Sequence, residues 1–249
     1  MSQDTKDVTT LGRGASDTTA VALAAALKAD YCEIYSDVDG VFTADPRIVP
    51  GASRIPQISY EEMLEMAANG AKILHLRCVE YARRENVPVH VRSSFSDKPG
   101  TWVKDKSEGS KMEDAIISGV AHDRSEAKIT VVGVPDVPGT AARIFEVVAT
   151  AGANIDMIVQ NVSAAQTGLT DISFTLPEGD VPGTLAALTA AQEELKFASL
   201  QFDDQVGKLS LVGAGMKSSP GVSAKLFGAL RDAGINIEMI STSEIRISV

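Results

Sequence analysis

The chain has 249 residues, with 23 Lys and Arg against 33 Asp and Glu, a formal net charge of −10, and 44% apolar residues. That balance is globular, one large domain or two to three small ones, and the acidic excess argues against nucleic acid or an anionic membrane as partner. No apolar run approaches the roughly 20 residues of a membrane helix and no signal-peptide core opens the chain, so the expected location is the cytoplasm. Cys32 and Cys78 are too few for a disulfide framework or a closed zinc site and read as buried free thiols.

Up to about residue 103, helical stretches alternate with short β-rich runs. Residues 18–29, almost all Ala, Val, Leu and Thr, predict a helix buried on every side with Ser16 or Asp17 as its N-cap. A strand over 31–35 closes in a turn-rich run at 36–40. The pair Ser59-x-x-Glu62 is a capping box that opens a helix to about Ala68. Asn69-Gly70 breaks it, a second helix runs over 71–85, and 87–91 is again a strand. Strands alternating with helices predict parallel pairing and an α/β layer. The composition then turns polar, which marks a domain boundary with its linker over 104–126.

The second half holds an internal repeat. Residues 128–133 (KITVVG) match 208–213 (KLSLVG), and Pro138-Gly139, Gly152, Asn154-Ile155 and Met157 match Pro220-Gly221, Gly234, Asn236-Ile237 and Met239. A period near 80 suits a small duplicated domain rather than a solenoid. Each copy reads as strand, Pro-Gly loop, helix, Gly stop, strand. The first copy, over 127–204, continues with a strand (170–176), a helix (182–194) and a strand (198–202), the βαββαβ order of a ferredoxin-like sandwich. The second, over 205–249, stops early, so the chain is truncated or that domain is completed from another segment.

Three places could carry chemistry. The loop at 11–19 (LGRGASDTT) precedes a helix N-terminus, whose unpaired N–H groups and glycine neighbours suit a phosphate or carboxylate, with Arg13 as bidentate partner. It lacks the Lys-Ser/Thr ending of a P-loop. The run from Ser36 to Arg47 puts Asp37, Asp39, Asp45 and Arg47 beyond a strand's C-terminal end, where open α/β sheets bind ligands. These groups could hold a nucleotide, its ribose and a magnesium ion; the spacing does not fit an EF-hand. Lys72, at the expected start of the second helix, suits a phosphate, whereas His75 and His90 read as structural. In the repeats, Pro138-Gly139 and Pro220-Gly221 each open a helix that could accept a carboxylate, Asn154 and Asn236 start the following strand beside that loop, and Asp136 could take an ammonium group. A zwitterionic amino acid needs all three together.

Residues 9–20 (TTLGRGASDTTA) and 35–47 (YSDVDGVFTADPR), with 70–75 (GAKILH) and 241–248 (STSEIRIS), resemble aspartokinases over essentially the whole chain. The resemblance implies a three-layer α/β amino-acid-kinase-like half over 1–103, then tandem α+β ferredoxin-like ACT regulatory domains. It implies transfer of the ATP γ-phosphoryl group to the side-chain carboxylate of L-aspartate, with Mg2+, in lysine, threonine and methionine synthesis. Arg13, Gly14, Ala15 and Ser16 would contact aspartate, Arg13 and Ser16 as catalytic groups. Ser36, Asp37, Phe42, Thr43, Ala44, Asp45, Pro46 and Arg47 would hold ATP, with Lys72 on its phosphates; no separate protein metal site is expected. Feedback sites for lysine or threonine would be lined by Asp136, Val137, Pro138, Gly139, Thr140, Ala141, Asn154, Ile155, Asp156 and Gln160, and by Val222, Ser223, Asn236 and Ile237. The partner would be a second copy joined through the ACT domains or a full-length aspartokinase chain. The family's Lys-Phe/Tyr-Gly-Gly-Thr phosphate motif is not among these residues, and Ala15 stands where the family usually has Gly. The expectation is therefore little turnover by the chain alone, and the alternative is a non-catalytic regulatory (β-type) subunit or amino-acid sensor. Another amino-acid kinase, of the acetylglutamate or uridylate kind, is disfavoured by the repeat and by Ser16-Asp17-Thr18-Thr19.

Overall fold

The computed structural model describes residues 5–8, 12, 14–105, 116–161 and 167–249, with Lys217 in its backbone alone. The chain divides into two compact units, one of residues 1–122 with 209–249, the other of residues 123–208.

The first unit opens with α1 (Ala15–Leu27), β1 (Cys32–Ser36), β2 (Gln57–Ile58), α2 (Tyr60–Ala68), α3 (Leu76–Arg84), β3 (Val89–Ser93), β4 (Thr101–Val103) and β5 (Gly119–Asp123). The sheet order is β1-β3-β4-β2. β1 and β3 are parallel, as expected, in register from Cys32 against Val89 to Ser36 against Ser93. β4 runs antiparallel to β3 and parallel to β2, which makes the sheet mixed. Val41, Ile58, Met63, Cys78, Val91 and Val103 are the core beneath it.

Several expectations are corrected here. Helix α1 is not buried on every side: Val21 and Ala24 face the core, whereas Leu23 and Leu27 are 58% and 70% exposed. Its N-cap is Gly14 in the left-handed region (φ 69°), not Ser16 or Asp17. An all-apolar stretch has no preferred face, so only packing selects one. Helix α2 begins as expected, with Ser59 and Glu62 forming a reciprocal capping box. The following helix begins at Leu76, five residues later than expected. Gly70, at φ 108°, reverses the chain, the Ala71 N–H closes on the Met66 carbonyl (2.9 Å), and His75 caps α3 by accepting from the Arg77 N–H (3.4 Å). The expected linker over 104–126 contains β5 and the start of the next strand.

The second unit is β6 (Glu126–Pro135), α4 (Thr140–Thr150), β7 (Ile158–Gln160), β8 (Leu169–Pro177), α5 (Val181–Ala190), α6 (Gln192–Leu195) and β9 (Ser199–Asp203). Its sheet has the order β7-β8-β6-β9 with every pair antiparallel, the ferredoxin-like arrangement read from the sequence. Ala127, Ile129 and Val131 alternate inward on β6 and meet Ile144 and Val148 of α4 with Phe174 of β8. At one edge the Lys208 ammonium, 5% exposed, lies 3.0 Å from Glu126 and 2.6 Å from Asp156. Burial alone would disfavour the charged ammonium; those two carboxylates outweigh it and raise the Lys208 pKa.

Back in the first unit, β10 (Lys208–Val212), α7 (Val222–Asp232), β11 (Ser241–Thr242) and β12 (Arg246–Ser248) make the second copy of the repeat. Its sheet order is β11-β12-β10-β5. Place for place this repeats β7-β8-β6-β9, with β5 where β9 stands. The second copy thus takes a strand from ahead of the first, and the Ser118 N–H seals the join on the Val212 carbonyl at 2.8 Å. Among the described residues, no helix is long and apolar enough to cross a membrane.

Cys32 and Cys78 are free and 7% and 0% exposed. Burial, helped by the charge of Asp17 and by Cys32, pushes the Cys78 thiol up to about 12. At pH 8 almost no Cys78 thiolate forms, so a water-soluble disulfide reagent should leave Cys78 unmodified in the native protein and label it once urea unfolds the chain. Rapid native labelling, read by mass spectrometry, contradicts this.

Candidate functional site

The helix N-terminus of α1 and the turn before α3 are packed together through missing side chains. A Cβ on Gly14 would lie 2.2 Å from the His75 ring, and one on Gly12 would touch the Arg77 guanidinium at 3.6 Å. Both glycines also have positive φ, 69° and 87°, so glycine is required twice over at Gly14. Ala15 and Ser16 form the first turn of α1, where the Thr18 hydroxyl donates to the Gly14 carbonyl at 3.1 Å. Arg13 lies outside the described residues.

Ser36 ends β1, and beside it Ser93 ends the parallel β3; ligands of α/β sheets bind beyond such carboxyl ends. The Ser36 hydroxyl accepts from the Val38 N–H at 3.1 Å. Asp37 is exposed near Arg47, and Phe42 bridges to Arg54 across the loop. Asp45 is clasped by Arg47, which donates its backbone N–H (2.9 Å), Nε (3.0 Å) and Nη2 (2.8 Å). The side-chain bonds from Arg47 first, then its backbone N–H, bring the Asp45 carboxyl down to about 2. Asp39 is committed elsewhere: its two oxygens accept from the Ser96 hydroxyl and the Lys98 ammonium, each at 2.6 Å, which lowers its pKa. Thr43 and Ala44 are half-buried in the same loop, and Pro46 is exposed. Lys72 is exposed in the turn before α3 rather than at a helix start. The residues missed in the sequence are Ser96 and Lys98, which follow β3 and reach the Ser36–Arg47 loop only because β1 and β3 are neighbours. His90 is structural, as expected, stacked on Trp102 at 4.1 Å with its ring nitrogens on Glu33 (3.1 Å) and the Pro99 carbonyl (2.8 Å).

The second unit contains a cavity of about 330 Å³ at the N-terminus of α4. Asp136, Val137, Pro138, Gly139, Thr140, Ala141 and Gln160 line it together, joined by Thr170 and Ile172 of β8. Gly139 caps α4 in the left-handed region (φ 92°); the Thr140 N–H bonds the Val137 carbonyl at 3.2 Å, and the next N–H groups of the first turn have no partner within the helix. The Thr140 hydroxyl, on a residue only 2% exposed, has no hydrogen-bond partner among the described residues. A buried hydroxyl without a partner is costly, so a ligand group there is favoured. Asn154, Ile155 and Asp156 are not brought to this cavity; they follow the other end of α4, and Asp156 holds Lys208. In the second copy Gly221 repeats the φ of 92° before Val222 and Ser223 open α7. Asn236 is exposed, and Ile237 packs on the small core of Leu211, Leu226, Leu230 and Ile247.

With this geometry in place, both halves of the chain show similarity to known proteins. The model of the amino acid kinase family matches residues 2–93, and that of the ACT domain matches residues 129–192 and 209–249. The aspartokinase of Mycolicibacterium smegmatis is 65% identical over 249 residues, all of this chain and 59% of that protein. The chain therefore spans about three-fifths of the curated relatives it matches. The crystal structure of E. coli aspartokinase III in complex with aspartate and ADP (R-state) is 30% identical, with a TM-score of 0.80 over 96% of this chain and 53% of that one. The regulatory subunit of aspartate kinase from Thermus thermophilus is 38% identical, with a TM-score of 0.50 over 54% of this chain and 87% of the subunit. Both the kinase-like segment and the duplicated regulatory fold have matches, and the chain belongs to the aspartokinase family.

Proposed function

We propose that the chain carries the nucleotide side and the regulatory part of an aspartate kinase. The reaction is transfer of the ATP γ-phosphoryl group to the side-chain carboxylate of L-aspartate, giving 4-phospho-L-aspartate, under feedback control by lysine or threonine. Phosphoryl transfer is mostly positioning and charge neutralisation, which is what helix N-termini and cations supply. The E. coli relative solved with aspartate and ADP supports both substrates. Arg13, Gly14, Ala15 and Ser16 would receive aspartate at the N-terminus of α1. Ser36, Asp37 and the stretch from Phe42 to Arg47 would hold the nucleotide, with Lys72 on its phosphates. Among the described residues there is no cluster of three or more His, Cys, Asp or Glu side chains that could hold a metal. A magnesium ion fits this loop only as a rider on the phosphates with one carboxylate, the exposed Asp37, since Asp39 and Asp45 are held by Lys98 and Arg47.

The observation that carries the regulatory part is the buried Thr140 hydroxyl in an amino-acid-sized cavity. The α-carboxylate would sit on the open N–H groups of α4 with Thr140, and the ammonium against Asp136. Asn154, Ile155 and Asp156, and in the second copy Val222, Ser223, Asn236 and Ile237, would take part where regulatory units pair edge to edge. Among the described residues β7 and β11 are outer strands of their sheets, which suits a homodimer or a heteromer with a full-length chain. Likeness to a regulatory subunit favours a second reading, a non-catalytic partner of a complete aspartokinase.

Calorimetry decides the regulatory claim: lysine or threonine should bind, and Thr140→Val should weaken binding about tenfold, the scale of a lost hydrogen bond to a charged group. No heat from either amino acid refutes it. Hydroxamate trapping of aspartyl phosphate should find little product from the chain alone, and MgATP calorimetry separates the two readings: binding supports the nucleotide side of an enzyme, its absence the non-catalytic partner. The loop itself predicts a titration. Asp45 should ionise near pH 2 by NMR and return to about 4 in Arg47→Ala. Because its folded pKa is depressed, the stability it contributes is present above about pH 4 and is lost as the pH falls towards 2. An unchanged Asp45 titration in the variant contradicts the clasp.

A further inference from the structure

The nucleotide loop and the outer regulatory sheet share a strand. On one side of β5 the Ser118 N–H bonds the Val212 carbonyl of β10 at 2.8 Å. On the other, the Val120 N–H bonds the Thr43 carbonyl of the loop, also at 2.8 Å, while the Thr43 N–H bonds Ser53 (2.9 Å). Two glycines make this approach possible. A Cβ on Gly119 would lie 2.8 Å from the Met66 methyl of α2, and one on Gly213 would lie 2.4 Å from the Ile116 carbonyl.

Glu62 fastens the arrangement. It is 1% exposed, and its Oε2 accepts from the Ser59 N–H (3.3 Å) and hydroxyl (2.9 Å) at the cap of α2. Its Oε1 accepts from the Ser118 hydroxyl (2.6 Å) and the Ala214 N–H (3.0 Å), just before β5 and just after β10. Three and seven residues on, along the same face of α2, Glu65 meets the Arg246 guanidinium at 3.3 Å and Asn69 accepts from the Ser210 hydroxyl at 3.0 Å. One helix face therefore grips three strands of the regulatory sheet.

We propose that Glu62 is a coupling residue: through Ser118 it locks β5 to α2 and β10, so that the nucleotide loop at Thr43 and the outer regulatory sheet open and close as one body. Packed elements of this kind are bistable rather than continuously deformable, so a shift of the sheet reaches the loop through β5. The consequence for nucleotide binding rests on the function proposed above; the mechanical coupling does not.

Amide hydrogen exchange tests both parts in wild type, Glu62→Gln and Ser118→Ala. Without ligand, Glu62→Gln should speed exchange of the Ala214, Val120 and Thr43 amides about tenfold or more, with the α4 amides unchanged; Ser118→Ala should do the same to Val120 and Thr43. If Ala214 alone speeds up, Glu62 is only a local cap and the proposal is overturned. Should Glu62→Gln fail to fold, Ser118→Ala, which removes one hydroxyl, decides the matter by the same criterion. With saturating MgADP, wild-type protection at Thr43 should extend at least threefold to Val120 and Ala214, and should stop at Thr43 in the variants. Protection nowhere in wild type refutes the nucleotide reading while the ligand-free comparison still settles the coupling.

Discussion

A carboxyl side chain taken almost wholly out of water must recover its hydrogen bonds inside the protein, and Glu62 does so with donors from the cap of α2, the approach to β5 and the exit from β10. Each carboxylate oxygen accepts from two donors, and loss of either leaves a buried oxygen less well satisfied, so three separate segments are held at one point. The loop beyond β1 rests on β5 through Thr43, and β5 rests on Glu62 through Ser118. Buried networks of this kind are stiff when complete, because removal of any one member leaves the others unsatisfied.

The second copy of the repeat takes as its edge strand a segment that precedes the first copy in the chain. A sheet is indifferent to the order in which its strands arrive, provided that each position is filled and each ladder bond is made. Placing β5 where β9 stands in the first copy satisfies that demand. It also has a consequence that a self-contained second copy would lack, since the strand that completes the regulatory sheet is continuous with the chain of the kinase-like half. Duplication fixed the shape of the module, and the permuted strand connected it.

The two copies also show how a small motif prepares a ligand site. Gly139 and Gly221 both cap a helix at φ 92°, and both leave helix N–H groups exposed. Beside Gly139 there is a cavity with a buried hydroxyl that has no partner among the described residues. On the proposed reading, the shared turn would favour a carboxylate, and Thr140 with the β8 residues behind it would add selectivity.

Much of this was legible in the residues. The capping box of α2 and the duplicated β-Pro-Gly-α pattern follow from local rules, because caps, turns and periodicity act within a few positions of the chain, whereas the place of Val137, Thr140, Ala141 and Gln160 beside Pro138-Gly139 was only what the family resemblance implied. The apolar run of α1 could not declare its buried face, since every face is apolar and neighbours decide. The late start of α3 depends on His75 turning back onto Arg77, and on the Gly14 backbone leaving room for its ring. The clip of Ser96 and Lys98 on Asp39 exists only once β1 and β3 lie side by side. By itself the sequence determined the elements, the repeat and the chemistry available at each turn, all of which are short-range. Tertiary structure alone decided that a stretch with linker composition is β5, and that Glu62 joins residues 56 and 152 positions away, because hydrogen bonds between distant segments are chosen by burial and not by spacing.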